Sequence, residues 1–167
     1  SSDIQYGSNL TYDSTQQDLL LDFYEPQGDS LSVRPLIIFI HGGGYVGGTK
    51  SDPKIVQQCT TFAQKGYVTA SLEYRIGIDT SNGNNFFNAI VRATHDAKAA
   101  IRFFRKHADS LGIDTANIFM GGCSAGGVTA LHAAYMDSSE LYAHSMFDST
   151  LTGLSGGIGG KSGNSGF

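Results

Sequence analysis

The spacing Gly122-Cys123-Ser124-Ala125-Gly126 can make an alcohol attack a carbonyl. A serine hydroxyl is a weak nucleophile unless the backbone lifts it clear of its neighbours. The Gly-x-Ser-x-Gly pattern does this when a strand precedes it and a helix follows. Here the apolar run Ile118-Phe119-Met120 comes before it and Val128-Thr129-Ala130-Leu131-His132-Ala133-Ala134 after it. The flanking glycines tolerate both the close backbone approach and the strained dihedrals of such a bend. In a chain with 22 glycines the motif alone is a weak signal.

A second pattern strengthens it. Leu36-Ile37-Ile38-Phe39-Ile40 runs directly into His41-Gly42-Gly43-Gly44. Three glycines leave backbone N–H groups unshielded. Such groups can converge on a developing negative oxygen, where one donor contributes about 3 kcal/mol to a transition state.

These residues need elements to hold them. Leu36–Ile40 is short, continuous, and β-branched or aromatic, as expected of a strand covered on both faces. Gln5–Tyr12 and Gln17–Tyr24 read as an edge hairpin turning at residues 13–16. Asp52-Pro53 starts a helix over Lys54–Lys65, ended by Gly66, and Tyr67–Glu73 is the next strand. A polar loop, Gly77–Asn85, leads into a helix over Asn88–Ala108, with Ile90, Ala93, Ala97, Ala100, Ile101 and Phe104 on its apolar face. Asn117–Gly121 is the strand before the serine, and Ala125–Tyr135 the helix after it. Alternating strands and helices predict an α/β fold, a mostly parallel sheet with helices on both faces. Both candidate motifs then lie at the carboxyl ends of strands, where open α/β sheets bind ligands.

The segment Phe39-Ile40-His41-Gly42-Gly43-Gly44-Tyr45-Val46-Gly47-Gly48-Thr49-Lys50 resembles the oxyanion loop of HGGG-type carboxylesterases of the α/β-hydrolase superfamily. These include the hormone-sensitive-lipase group and bacterial feruloyl-esterase-like enzymes. Glu73-Tyr74-Arg75, the helix from Asp96 to Phe104 and the link Gly112–Ile118 are similar to other parts of that family. The resemblance runs from about Leu19 to about Met136 and implies a serine esterase. It makes Ser124 the nucleophile and the amides of Gly43, Gly44 and Ala125 the oxyanion donors. It gives His41 a role in shaping the loop, not in taking the proton. It implies short acyl or polysaccharide-linked acetyl or feruloyl esters as substrates, and no metal or other cofactor. Tyr45 and the Gly77–Phe87 loop either line the substrate pocket or, for Tyr45, simply pack.

A serine nucleophile needs a base, and the base an orienter. In this superfamily they follow the serine as Asp or Glu, then His. After Ser124 come His132 and His144, with Asp137, Glu140 and Asp148. His132 lies two helical turns on and reads as a satisfied helix histidine; His144 follows too closely for a strand bearing a carboxylate to intervene. His95 and His107 lie upstream; His95 adjoins Asp96, but neighbouring helical residues point apart, and Asp96 reads as a structural carboxylate. The acid and base are therefore expected from a C-terminal segment of the same protein beyond this chain. Residues 1–150 would be the amino-terminal part of the hydrolase core, leaving the fold incomplete at its C-terminus. Residues 151–167, rich in Gly and Ser, would lead into the remainder.

The chain has 167 residues and a formal net charge of −4. No basic patch points to nucleic acid, and no apolar run reaches the roughly 20 residues of a membrane span. The absence of an initiator Met suits a mature secreted or periplasmic protein, or a trimmed one; Asn9-Leu10-Thr11 fits a glycosylation pattern. Cys59 and Cys123 are expected to be free thiols, Cys123 as a small filler in the crowded turn. Two other functions fit less well. A noncatalytic module of the same fold would have no need of Ser124 and the glycine loop. Gly42-Gly43-Gly44-Tyr45-Val46-Gly47 formally matches a dinucleotide fingerprint, yet residues 48–53 separate it from any helix.

Overall fold

The structure, a computed structural model, describes residues 1–28, 30–78 and 85–136. Strands β1 (Ile4–Leu10), β2 (Gln16–Tyr24), β3 (Arg34–Ile40), β4 (Val68–Leu72) and β5 (Ile113–Gly122) form one sheet. Helices α1 (Pro53–Ala63), α2 (Asn85–Lys106), α3 (Ala108–Leu111) and α4 (Ala125–Tyr135) connect or follow them. The strand order is β1-β2-β4-β3-β5. The expected hairpin supplies the antiparallel half of a mixed sheet, and β4, β3 and β5 run parallel.

Side-chain alternation splits the core between the two faces of the sheet. Leu36, Ile38 and Ile40 of β3 and Val68, Ala70 and Leu72 of β4 belong to one buried cluster with Ala93, Ala97, Ala100 and Phe104 of α2. Phe39 turns to the other face and packs with Ile55 and Cys59 of α1. Asp52 caps α1 by accepting the Lys54 amide at 2.8 Å, with Pro53 at the first helical position.

Several boundaries shift by one to four residues from the sequence pattern, and the largest shifts are the early starts of α2 and β5. Helix α2 starts at Asn85, three residues before Asn88, where the Phe86 ring packs edge-on against Tyr45 at 5.6 Å. It ends at Lys106, and α3 continues to the left-handed cap Gly112. Strand β5 begins at Ile113, four residues before Asn117, because Ile113 already pairs with Arg34. The pairing then slips, and Leu36 faces Ile118. The extra polar residues are held by Asp114, which accepts from the Ala116 amide and the Asn117 side chain. A polar bulge inside a strand reads as a linker in sequence.

The chain leaves β3 for β4 on one side and returns to β5 on the other. That reversal opens a crevice at the carboxyl ends of β3 and β5. Among the described strands β5 pairs only with β3, and Phe119 on it is 51% exposed. Leu131 and Tyr135 of α4 are also exposed. Residues 137–167, and with them the expected tail and the candidates His144, Asp137, Glu140 and Asp148, lie outside the described residues.

Candidate active site

Ile40 and Gly122 are paired neighbours at the ends of β3 and β5, so the two motifs leave the sheet side by side. The Cys123 amide approaches the Ile40 carbonyl at 3.4 Å. A methyl group on Gly126 would sit 2.1 Å from the Ile40 oxygen, and one on Gly122 would sit 2.4 Å from the Gly126 carbonyl carbon. The bend is therefore wedged backbone to backbone against β3, and only glycine fits there.

At its apex Ser124 has φ 53° and ψ −120°, a conformation that costs a non-glycine residue about 1–3 kcal/mol. Its side chain makes no capping bond to α4 and is exposed. The hydroxyl is not committed to the helix. Ala125 opens α4, so its amide is among the first-turn donors without an intrahelical acceptor. A methyl group on Gly42 would lie 3.4 Å from Ser124 Cβ. The structure thus brings Ser124 and Ala125 against the triple-glycine loop.

That loop is a tight turn. The Gly43 carbonyl accepts from the Val46 and Gly47 amides, both at 3.1 Å. The turn uses those two amides, not the amides of Gly43 and Gly44, both of which are exposed residues. Gly43, Gly44 and Tyr45 all have positive φ, 118°, 62° and 65°. Tyr45 is buried beneath the loop. Its hydroxyl donates to the Ala125 carbonyl at 3.0 Å and lies 3.3 Å from Thr129 Oγ1, and burial pushes the phenol pKa up. It is a buttress between loop and helix, while Val46 and Phe86 stand exposed at the rim.

His41 is buried and stacked on Tyr74 at 4.4 Å. Its Nδ1 lies 2.7 Å from the Gly42 carbonyl and its Nε2 3.2 Å from Glu73 Oε1. Both ring nitrogens are engaged within the loop, which suits a shaping residue. Glu73 Oε2 also accepts from the Thr49 hydroxyl and the Lys50 amide, both at 3.0 Å. Sequence reasoning placed Glu73 at the end of a strand, in a stretch similar to the family, and gave it no role in the loop. Burial opposes ionisation of Glu73, but the bonds from His41, Lys50 and Thr49 outweigh it and hold the carboxyl below its usual range.

A depressed carboxylate stabilises the fold fully above its unfolded pKa, and that contribution is lost as pH falls through the lower, folded value. The loop is therefore expected to loosen in acid, below about pH 4. Thermal unfolding should show the wild type losing stability with acid more steeply than Glu73→Gln. Parallel profiles would remove Glu73 as the sensor.

The remaining candidates lie apart from Ser124. Asp96 is consumed by Arg75, and His107 precedes α3 with its ring against Phe103. His132 sits in the last turn of α4, and burial lowers its pKa. Its Nδ1 is buried and has no partner among the described residues, so the expectation of a satisfied ring does not hold at that atom. Cys123 is exposed and does not fill the turn as expected; only its backbone carbonyl is crowded, against Gly42. Cys59 is buried, and desolvation pushes its thiol up to about 12. A cavity of about 630 Å³, lined by Ser1, Phe23, Tyr24, Thr60 and Gln64, opens beside the end of β2. Tyr24 pairs with Thr69 near the start of β4, so that cavity lies at the amino ends of the parallel strands, opposite the crevice.

The BD-FAE family model matches residues 21–154, which spans both motifs and the three helices between them. The chain belongs to the BD-FAE family. Curated proteins similar to this chain include esterases. Esterase cest-33 of Caenorhabditis elegans is 30% identical over 66% of this chain and 21% of its own length. Esterase LipC of Mycobacterium tuberculosis is 26% identical over 84% of this chain and 32% of its own. The propionate-bound esterase Est2 of the planctomycete Thermogutta terrifontis is 32% identical, with a TM-score of 0.62 over 79% of this chain and 44% of its own. The same esterase phosphonylated by cyclosarin gives a TM-score of 0.65 at 28% identity, over 92% of this chain and 52% of its own. The chain thus spans a fifth to a third of these curated relatives and about half of the solved esterase.

Proposed function

We propose that this chain is the nucleophile-bearing part of a serine carboxylic ester hydrolase. The observation that carries the reading is the close approach of the Cys123-Ser124 bend to Gly42, where an added methyl group would lie 2.9 Å from the Cys123 carbonyl oxygen and 3.4 Å from Ser124 Cβ; it supports a hydroxyl that works with the glycine amides. Ser124 Oγ attacks the ester carbonyl carbon as a base takes its proton. The carbonyl oxygen becomes an oxyanion held by the N–H groups of Gly43, Gly44 and Ala125. Collapse of this intermediate expels the alcohol, which receives the proton, and leaves an acyl group on Ser124. Water then attacks that acyl carbon in the same cradle and frees the acid and the serine.

In this proposal the histidine and its carboxylate come from a segment C-terminal to α4. The side of β5 that has no partner among the described strands and the exposed Phe119, Leu131 and Tyr135 supply the apolar surface for it to cover. The substrates are short acyl esters or acetyl and feruloyl esters on polysaccharides. A small acyl group is supported by the propionate- and butyrate-bound forms of the Thermogutta esterase. An aromatic one is supported by the Phe86 ring at the rim. Phe86→Ala is expected to raise KM for methyl ferulate about threefold to tenfold, the worth of one edge-to-face contact at about 0.5–1.5 kcal/mol. KM for p-nitrophenyl acetate should stay put, and equal changes on both esters would remove Phe86 from acyl selection.

The test of the activity is labelling of the full-length protein by a fluorophosphonate. Modification mapped to Ser124, blocked by prior incubation with p-nitrophenyl butyrate, is the expected result. A second reading, a noncatalytic module, is favoured by one observation: no histidine among the described residues hydrogen-bonds Ser124. An unlabelled Ser124 would select it.

A further inference from the structure

The triple-glycine turn is strained, and something must hold it. Three successive residues with positive φ, one of them Tyr45, persist only where the surroundings over-determine them. The Tyr45 hydroxyl is fixed on α4, as described above. Its carbonyl is fixed elsewhere: it accepts from the Gly77 amide at 2.6 Å. The Gly77 carbonyl in turn accepts from Arg92 Nη2 at 2.5 Å. Gly77 has φ 111°, and a methyl group there would lie 2.2 Å from the Tyr12 ring, so only glycine threads this position.

Arg92 is an odd residue to find inside α2. It is 2% exposed, and its Nε has no partner among the described residues. The nearby carboxylate of Asp96 is occupied by Arg75, whose Nε, Nη2 and backbone N–H all donate to it. Burial first, and then repulsion from Arg75, lowers the Arg92 pKa to about 10. A buried guanidinium with an idle donor is poor value for stability alone, since an apolar side chain of similar volume is often neutral or better.

We infer that Arg92 is a positioning residue of the oxyanion loop, acting through Gly77 and the Tyr45 carbonyl on the Gly43 and Gly44 amides. Arg92 anchors one rigid end in α2, Gly77 passes the constraint across, and Tyr45 sits next in chain to the glycines it orients. This rests on the esterase reading. Loss of the anchor lets the strained turn relax, and a donor displaced by about 1 Å loses about a hundredfold in rate.

The experiment uses the full-length protein with active sites counted by an organophosphate burst. A wild type that gives no burst defeats the esterase reading itself. Given a burst, Arg92→Met and Arg92→Gln are compared with wild type on p-nitrophenyl butyrate and against a trifluoromethyl ketone, which mimics the oxyanion. The expected result is a kcat per titrated site about tenfold to a hundredfold lower, with KM within twofold. Ketone affinity should weaken in step with kcat/KM, and Arg92→Lys should fall between. Counting active sites separates this from simple unfolding, and two variants keep the test open if one fails to fold. A kcat per titrated site within twofold of wild type, or a lower kcat with unchanged ketone affinity, would overturn the assignment.

Discussion

Ser124→Ala is expected to lower turnover of p-nitrophenyl esters by about 10⁶-fold in the full-length protein, the scale seen when a serine nucleophile is removed from a complete triad. The expectation follows from where the hydroxyl is. It is exposed at the apex of the bend, it makes no capping bond to α4, and Ser124 Cβ would lie 3.4 Å from a methyl group on Gly42. Removing one oxygen there takes nothing from the core. Stability should therefore change by less than about 0.5 kcal/mol, as at other surface positions. That contrast makes the measurement sharp: rate collapses while the unfolding midpoint stands still. A variant that kept more than a hundredth of wild-type turnover would show that the chemistry runs through another residue.

Asp96→Ala should be the most destabilising single change, by about 3–5 kcal/mol. Asp96 and Arg75 are both fully buried. The carboxylate accepts from Arg75 Nε at 2.9 Å, Nη2 at 2.7 Å and the Arg75 amide at 2.9 Å. Arg75 Nη1 reaches the Leu10 carbonyl at 2.7 Å, so one pair joins β1, the end of β4 and α2. Taking away the acid leaves a guanidinium in the interior with its charge uncompensated. Replacing both partners, Arg75→Met with Asp96→Leu, should recover most of the loss, because the penalty comes from the stranded charge. Urea denaturation of the three variants checks this. A loss below about 1 kcal/mol for Asp96→Ala would mean water reaches the pair.

Much of the frame was legible from residue order. The run Leu36–Ile40, the glycine turn and the serine bend are local signals, each carried by a few consecutive residues. Asp96 was legible as a structural carboxylate, since a neighbour on a helix cannot form a dyad with it. What stayed hidden was tertiary. Glu73 lies 32 residues from His41, and Tyr45 lies 80 from Ala125. Nothing local marks such partners. The early starts of α2 and β5 were hidden for the same reason: a ring contact with Tyr45 and a pairing with Arg34 set them, not propensity. The exposure of Cys123 and the His132 nitrogen without a partner among the described residues depend on side-chain direction, which residue order does not encode.

The close approach of Gly122 and Gly126 to β3 divides the neighbourhood of Ser124 into a rigid mould and a variable margin. No side chain can be introduced into the mould without prising strand from helix. Cys123, Val46 and Phe86 are exposed and carry no such constraint. A mutagenesis library meant to retune acyl preference should therefore randomise those three positions and leave the glycines alone. Descendants of such a scaffold would diversify at the margin while the mould stayed fixed.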